Sequence, residues 1–127
     1  MSYIIDSDIL IWLLKKKTKV VELLESIDMS ERGTSIICIG EVLEGLNTEQ
    51  IIELTKFFGS LRIYDVNLDV IFRFAELRKT LRRKGLLLEN MDLLIAATCL
   101  ANNLTLVTGN VKHFKRIKGL KIKTIDG

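Results

Sequence analysis

The sequence predicts an α/β fold, with a central parallel sheet of four to five strands and helices on both faces. Two observations predict it. Short β-branched or apolar runs alternate with longer stretches in which apolar residues recur every three or four positions. Strands separated by helices pair in parallel, because the helix is the crossover between them. The chain also has 127 residues, 48% of them hydrophobic, which suffices for one domain (1–127) with its own core.

Tyr3-Ile4-Ile5 is the first strand, ended by Asp6. A short helix follows from Ile9 to Leu14. Val20 to Ile27 has helical spacing and stops at Asp28. Thr34 to Ile39 is β-branched and apolar and reads as the second strand, broken by Gly40; Glu41 then opens a helix to Leu46. Asn47 with Gln50 forms a capping-box pattern that starts a helix running through Phe58. Leu61 to Val66 is the third strand. Asn67 caps a long amphipathic helix that ends near Lys84 and is closed by Gly85. Asn90 caps a helix from Met91 to Ala101, Thr105 to Val107 is the fourth strand, and Lys121 to Ile125 is a fifth.

Composition excludes several classes. Apolar content this high is incompatible with disorder as the main state. The longest uncharged apolar run, Leu93 to Ala101, is too short to span a bilayer, which takes about 20 residues. No signal peptide is visible, and Cys38 and Cys99 read as buried free thiols, so a cytoplasmic protein is expected. One histidine and no cysteine cluster disfavour zinc. Phosphate-cradling glycine motifs are absent. Charge is unevenly placed: residues 1–65 hold seven basic and eleven acidic side chains, residues 66–127 twelve and five. The basic half suits a polyanionic partner or simply solvated helix faces.

In an open parallel sheet, sites form beyond the carboxyl ends of the strands. Asp6 and Asp8, Glu41, Asp92 and the Thr108-Gly109-Asn110 turn all fall near such ends. Each has a structural explanation as well: a helix cap, a dipole-complementing carboxylate worth about 0.3–1 kcal/mol, or a turn. Together they form an acidic cluster with no Lys or Arg beside it in sequence. Two carboxylates about 4 Å apart repel by roughly 4 kcal/mol at an effective dielectric of 20. An oxygen-only set of this kind suits a hard divalent cation, Mg²⁺ or Mn²⁺.

Four segments carry a family resemblance: Tyr-Ile-Ile-Asp6-Ser7-Asp8, Gly40-Glu41-Val42, Met91-Asp92-Leu-Leu-Ile-Ala-Ala, and Leu-Val-Thr108-Gly109-Asn110-Val-Lys-His113-Phe114. In order and spacing they resemble the signatures of PIN-domain ribonucleases, and the chain length is similar to that of VapC-type toxins of toxin–antitoxin pairs. The resemblance implies a PIN-like three-layer sandwich and a Mg²⁺-dependent endoribonuclease (Mn²⁺ substituting). Asp6, Glu41 and Asp92 match the family's three core acids and are the implied metal ligands. The fourth position, Asp in many members and Asn in others, is Asn110 here, an amide that adds no charge, so the resemblance implies either a three-acid metal site or compensation by Asp8 or Glu89. Asp8, Ser7, Thr108 and Glu89 are supporting residues. The implied reaction is in-line attack by a metal-activated water, leaving 5′-phosphate and 3′-hydroxyl ends and requiring no catalytic histidine. His113 accordingly reads as a capping or packing residue. Lys112, Lys115, Arg116 and Lys118 flank the expected rim and are candidates for RNA phosphates, as are Arg82 and Arg83 at the end of the long helix, whose charges equally complement its dipole. The family further implies a homodimer and a cognate antitoxin.

Three alternatives remain at this stage. One is a PIN-like domain that binds RNA or a partner without cutting, which Asn110 favours. Another is a PIN nuclease of RNA processing. The third is a receiver domain with Asp65 as phospho-acceptor, against which stand Ser7 between the two first acids and the absence of proline.

Overall fold

The computed structural model describes residues 1–125; residues 126 and 127 of the expected domain lie outside the described residues. Five strands form one sheet: β1 (Tyr3–Ile5), β2 (Arg32–Ser35), β3 (Arg62–Tyr64), β4 (Thr105–Val107) and β5 (Lys121–Lys123). Their spatial order is β3-β2-β1-β4-β5, and every pair is parallel. The connections are α1 (Ser7–Leu14) and α2 (Thr18–Glu25), α3 (Ile36–Glu44) and α4 (Thr48–Phe58), α5 (Leu68–Arg83) and α6 (Asn90–Asn102), and the short α7 (Val111–Phe114). The chain moves outward from β1 to β3, then crosses back to β4 on the other side of β1. Right-handed crossovers in opposite directions place helices on opposite faces of the sheet. The reversal makes β1 and β4 the switch point, where a crevice opens beyond their carboxyl ends. No helix among the described residues is long and apolar enough to cross a membrane.

The sheet's interior strands are fully buried at Ile4, Ile5, Leu106 and Val107. Continuous apolar runs are what a parallel sheet covered on both faces requires. Helix α6 is buried from Leu93 through Cys99 except at Leu94, and it packs on α5. β2 passes so close to its neighbours that a Cβ on Gly33 would lie 2.9 Å from the Tyr3 carbonyl oxygen and 3.0 Å from that of Arg62. Those oxygens belong to strands paired with β2 and cannot yield alone. Gly33→Ala is therefore expected to destabilise the fold by about 1–3 kcal/mol, read as a lower urea midpoint at unchanged m-value.

Two expectations about elements need correction. Ile36 to Ile39 are not strand: β2 ends at Ser35, and Gly40 and Glu41 lie inside α3. The Ser35 hydroxyl accepts the Cys38 N–H at 3.0 Å and so caps a helix within the β-branched run. Gly40 is tolerated there because it faces open space. Similarly, Asn90 is not the cap of α6. Glu89 holds the cap position without a side-chain cap bond, and Asn90 is the first helical residue, its Oδ1 accepting from Arg78. The Asn47–Gln50 capping box and the Asn67 cap form as expected, and Gly85 follows α5 at φ 68°.

Candidate active site

Asp6 stands at the carboxyl end of β1, at the switch point, behind the clefts that Asp92 and Glu41 line. Its backbone N–H extends the β1–β4 ladder by donating to the Val107 carbonyl at 2.9 Å, and the Thr34 hydroxyl fixes the preceding Ile5 carbonyl at 2.7 Å. The side chain caps α1. Its Oδ1 accepts the Ser7 N–H at 2.8 Å, and its Oδ2 accepts the Thr108 hydroxyl at 2.7 Å. Thr108 in turn accepts the Asn110 N–H at 3.0 Å. Only 5% of Asp6 is exposed. Burial raises its pKa, against the lowering effect of the bonds from Thr108, Ser7 and Cys38.

Glu41, on the second turn of α3, and Asp92, in the first turn of α6, face the same charge. Burial raises the pKa of each, and the Asp6 carboxylate raises both further. Asp92 and Glu89 add to the effect on Glu41, and Glu89 adds to that on Asp92. Glu41 Oε1 is buried with no hydrogen-bond partner. No lysine or arginine acts on either group, and His113 lowers the pKa of Asp92. A buried orphan oxygen beside like charges is costly unless a cation is supplied.

The donor chemistry fits a divalent metal. Asp6, Glu41 and Cys38 each offer a ligand atom, all within 4.8 Å of one another. Cys38 is the poorest of these donors. Burial, then the Asp6 charge, push its pKa up to about 12, so it stays a thiol, and its Sγ is occupied by the Ser35 hydroxyl at 3.2 Å and by Asp6 Oδ1 at 3.8 Å. That leaves carboxylate oxygens from Asp6 and Glu41, with Asp92 coupled to both, a hard set suited to Mg²⁺ or Mn²⁺ rather than zinc.

Asp8 is drawn to the site but not as a free ligand. One oxygen accepts the Ile9 N–H at 2.7 Å and the other the Gly109 N–H at 2.9 Å, so the side chain ties α1 to the turn after β4. Burial and the Asp6 charge raise its pKa to about 6. Gly109 leaves no room: a Cβ there would meet the Trp12 ring at 2.6 Å and Asp8 Oδ2 at 2.8 Å. Gly109→Ala is expected to displace the turn that carries Thr108 and Asn110, lowering stability by about 1–3 kcal/mol and lowering activity with it, as parallel melting and cleavage assays would read.

Asn110 and His113 stand one turn apart across α7. Asn110 Nδ2 lies 2.8 Å from His113 Nδ1, and that nitrogen lies 3.8 Å from Asp92 Oδ2. His113 is thus neither a helix cap nor a packing residue but part of the site's rim. The sequence did not place it there, whereas Cys38 is the buried free thiol expected. The signal available for His113 was its spacing of three from Asn110, which only a helix makes meaningful.

A cleft of about 240 Å³ is lined by Leu87, Leu88, Glu89, Asp92, Asn110, His113 and Arg116. Of the expected RNA-binding residues, the structure brings Arg116 alone to this wall. Lys112 and Lys115 are exposed around α7, and Arg82 and Arg83 are exposed on the last turn of α5, outside the lining. Asp65 is exposed beyond β3, two strands from Asp6, so it shares no site with that acid and the receiver reading loses its geometry.

The family model for the PIN domain matches residues 3–120. A VapC ribonuclease of Rickettsia felis is 32% identical, with 99% of both chains covered. A VapC ribonuclease of Methanocaldococcus jannaschii is 29% identical, covering 97% of this chain and 86% of its own. Among solved structures, a VapBC complex of Rickettsia felis bound to a DNA fragment from its promoter superposes with a TM-score of 0.91 at 32% identity, covering 99% of this chain and 100% of the other. VapBC-1 of nontypeable Haemophilus influenzae matches with a TM-score of 0.86 at 27% identity, covering 98% of each chain.

Proposed function

This chain belongs to the PIN domain family, among the VapC ribonucleases, and from that premise we propose that it is a divalent-metal-dependent endoribonuclease, the toxin of a toxin–antitoxin pair. One observation carries the reading: the buried, partnerless Glu41 Oε1 within a carboxylate cluster on which no lysine or arginine of the described residues acts. Asp6, Glu41 and Asp92 would hold Mg²⁺, with Mn²⁺ substituting. When bound, the ion supplies Lewis acidity to a phosphoryl oxygen and acidifies a water.

The chain's own groups do the rest. Asp6 is locked by Ser7 and Thr108, so its carboxylate cannot rotate away from the crevice. Glu41 has an uncommitted oxygen and a raised pKa, which suits it to take the proton of the attacking water. Attack in line on the phosphodiester then leaves a 5′-phosphate on one fragment and a 3′-hydroxyl on the other, with the 2′-hydroxyl uninvolved. Asn110 adds a polar amide but no charge, and His113 Nδ1 holds that amide in place. His113→Ala is expected to lower kcat about 10–100-fold, the usual range for a residue that orients a metal site's neighbour, with KM little changed and the melting temperature kept.

Single-stranded or looped RNA is the substrate class, with Arg116 at the cleft as the first phosphate contact. A cognate antitoxin and a second copy of this chain are the expected protein partners. The test is the chemistry of the ends. RNA digested by the purified protein should carry 5′-phosphate and 3′-hydroxyl termini. Fragments ending in 2′,3′-cyclic phosphate would show that the 2′-hydroxyl is the nucleophile and contradict the proposal.

A further inference from the structure

A second cavity adjoins the acidic cleft. It has a volume of about 190 Å³ and runs between the C-terminal half of α5 and the segment after α7. Its floor is apolar, from Leu77, Leu81 and Ile117, and its rim carries Thr80, Lys84, Lys118 and Arg116. Arg116 lines both cavities and so stands at their junction. Its Nη1 donates to the Leu87 carbonyl at 3.5 Å, which seats the guanidinium on the cleft wall. A guanidinium has five N–H donors, so most remain free.

These cations are uncommitted. Among the described residues, none of Lys84, Arg116 and Lys118 forms an ion pair with a carboxylate. Three unpaired cations along one groove attract the phosphates of a nucleic-acid strand. The lysine run at the α1–α2 turn is different, because Lys17 lies over the Trp12 ring at 5.0 Å and none of Lys15, Lys16 and Lys17 lines a cavity shared with the cleft. Glu76 closes the far end of the groove and disfavours a further phosphate there.

We propose that the groove of Thr80, Lys84, Arg116 and Lys118 is a phosphate subsite that holds the RNA strand on one side of the scissile bond. It rests on the nuclease reading and adds the path of the substrate: out of the acidic cleft, over Arg116, and along the end of α5. Binding is therefore asymmetric about the cleaved phosphodiester. Lys84 and Lys118 contact backbone and read no base.

The test uses the full chain in EDTA, so that nothing is cut, with a fluorescent single-stranded RNA of 12 nucleotides. A Lys84→Gln, Lys118→Gln pair is compared with Lys56→Gln, Arg73→Gln, which lies outside both cavities. The groove pair should weaken binding about tenfold and reduce the slope of log Kd against log salt by about 1.4, the share of two phosphates on a single strand. With metal restored, its KM should rise while kcat holds. Shortening the RNA from one end, but not the other, should remove the difference from wild type. An unchanged slope, an equal effect of the control pair, or an equal loss of affinity for polyglutamate would overturn the subsite. Intact wild-type binding with an unaffected groove pair removes the subsite alone, whereas wild-type protein that neither binds this RNA in EDTA nor cuts RNA with Mg²⁺ or Mn²⁺ removes the nuclease reading with it. Lys84→Ala with Lys118→Ala serves as the second variant, and unchanged melting confirms that either pair is folded.

Discussion

Asp6→Asn is expected to reduce RNA cleavage by more than about 100-fold, beyond the range seen when a residue behind a metal ligand is lost. The same change should raise the melting temperature of the metal-free protein. Both effects come from one cause. Asp6 is almost fully buried, and its charge raises the pKa of Asp8, Glu41 and Asp92. The isosteric amide removes that charge and keeps the shape. It still accepts the Ser7 N–H, so the cap of α1 survives. Activity and stability therefore move in opposite directions. Such a trade-off is expected where charge is gathered for function rather than for folding. Cleavage rates and melting curves on the same preparations measure both. Lost activity together with lost stability would mean that Asp6 serves mainly as a structural cap.

Metal-free protein is expected to lose stability as pH rises, and Mg²⁺ to restore more of it at the higher pH. The folded state holds the Asp8 proton more tightly than the unfolded state does, with a pKa of about 6 against 3.8. The stabilisation from that difference is complete below pH 3.8 and is lost as pH climbs through about 6, and its full size is about 3 kcal/mol. Asp6, Glu41 and Asp92 are raised as well and act in the same direction. A divalent cation binds the ionised cluster, so at pH 7.5 a 100-fold excess over Kd should add about 2.7 kcal/mol. At pH 4 more of these raised carboxyls carry their protons, so the ion should add less. Thermal melts at the two pH values, with Mg²⁺ or EDTA, read both effects. A stabilisation by Mg²⁺ of equal size at both would place its binding elsewhere.

Much of the sheet was legible because its strands are short, β-branched and separated by helices with recognisable caps. Asn47, Asn67 and Gly85 act as their residue types suggest. The run from Ile36 to Ile39 misled for a physical reason. Its residues favour strand by propensity, but the cap from Ser35 and the packing of α3 on α1 and α6 decide in favour of helix. That difference matters for the site, since it is the helix that carries Cys38 and Glu41 inward on successive turns. Asp6, Glu41 and Asp92 could be placed near strand ends from pattern alone; the structure sets ligand atoms of Asp6 and Glu41 within 4.8 Å of each other, and the Asp6 charge raises the pKa of Asp92. Asp8 could not be resolved in this way. Nothing in its sequence position tells that both its oxygens bind backbone N–H groups. His113 was hidden because α7 has four residues, too few to show a period. The basic side chains were visible as charge, but only the fold separates Arg116, on the cleft wall, from Arg82 and Arg83.

The central claim is that the carboxylate cluster around Asp6 cuts RNA with a divalent cation. Its most direct test is incubation of total cellular RNA with the purified protein, in Mg²⁺, Mn²⁺ or EDTA, beside Asp6→Asn. Discrete fragments are expected with either ion, none in EDTA and none from the variant. Cleavage that persists in EDTA or in Asp6→Asn, or its absence under every condition from folded protein free of antitoxin, would contradict it.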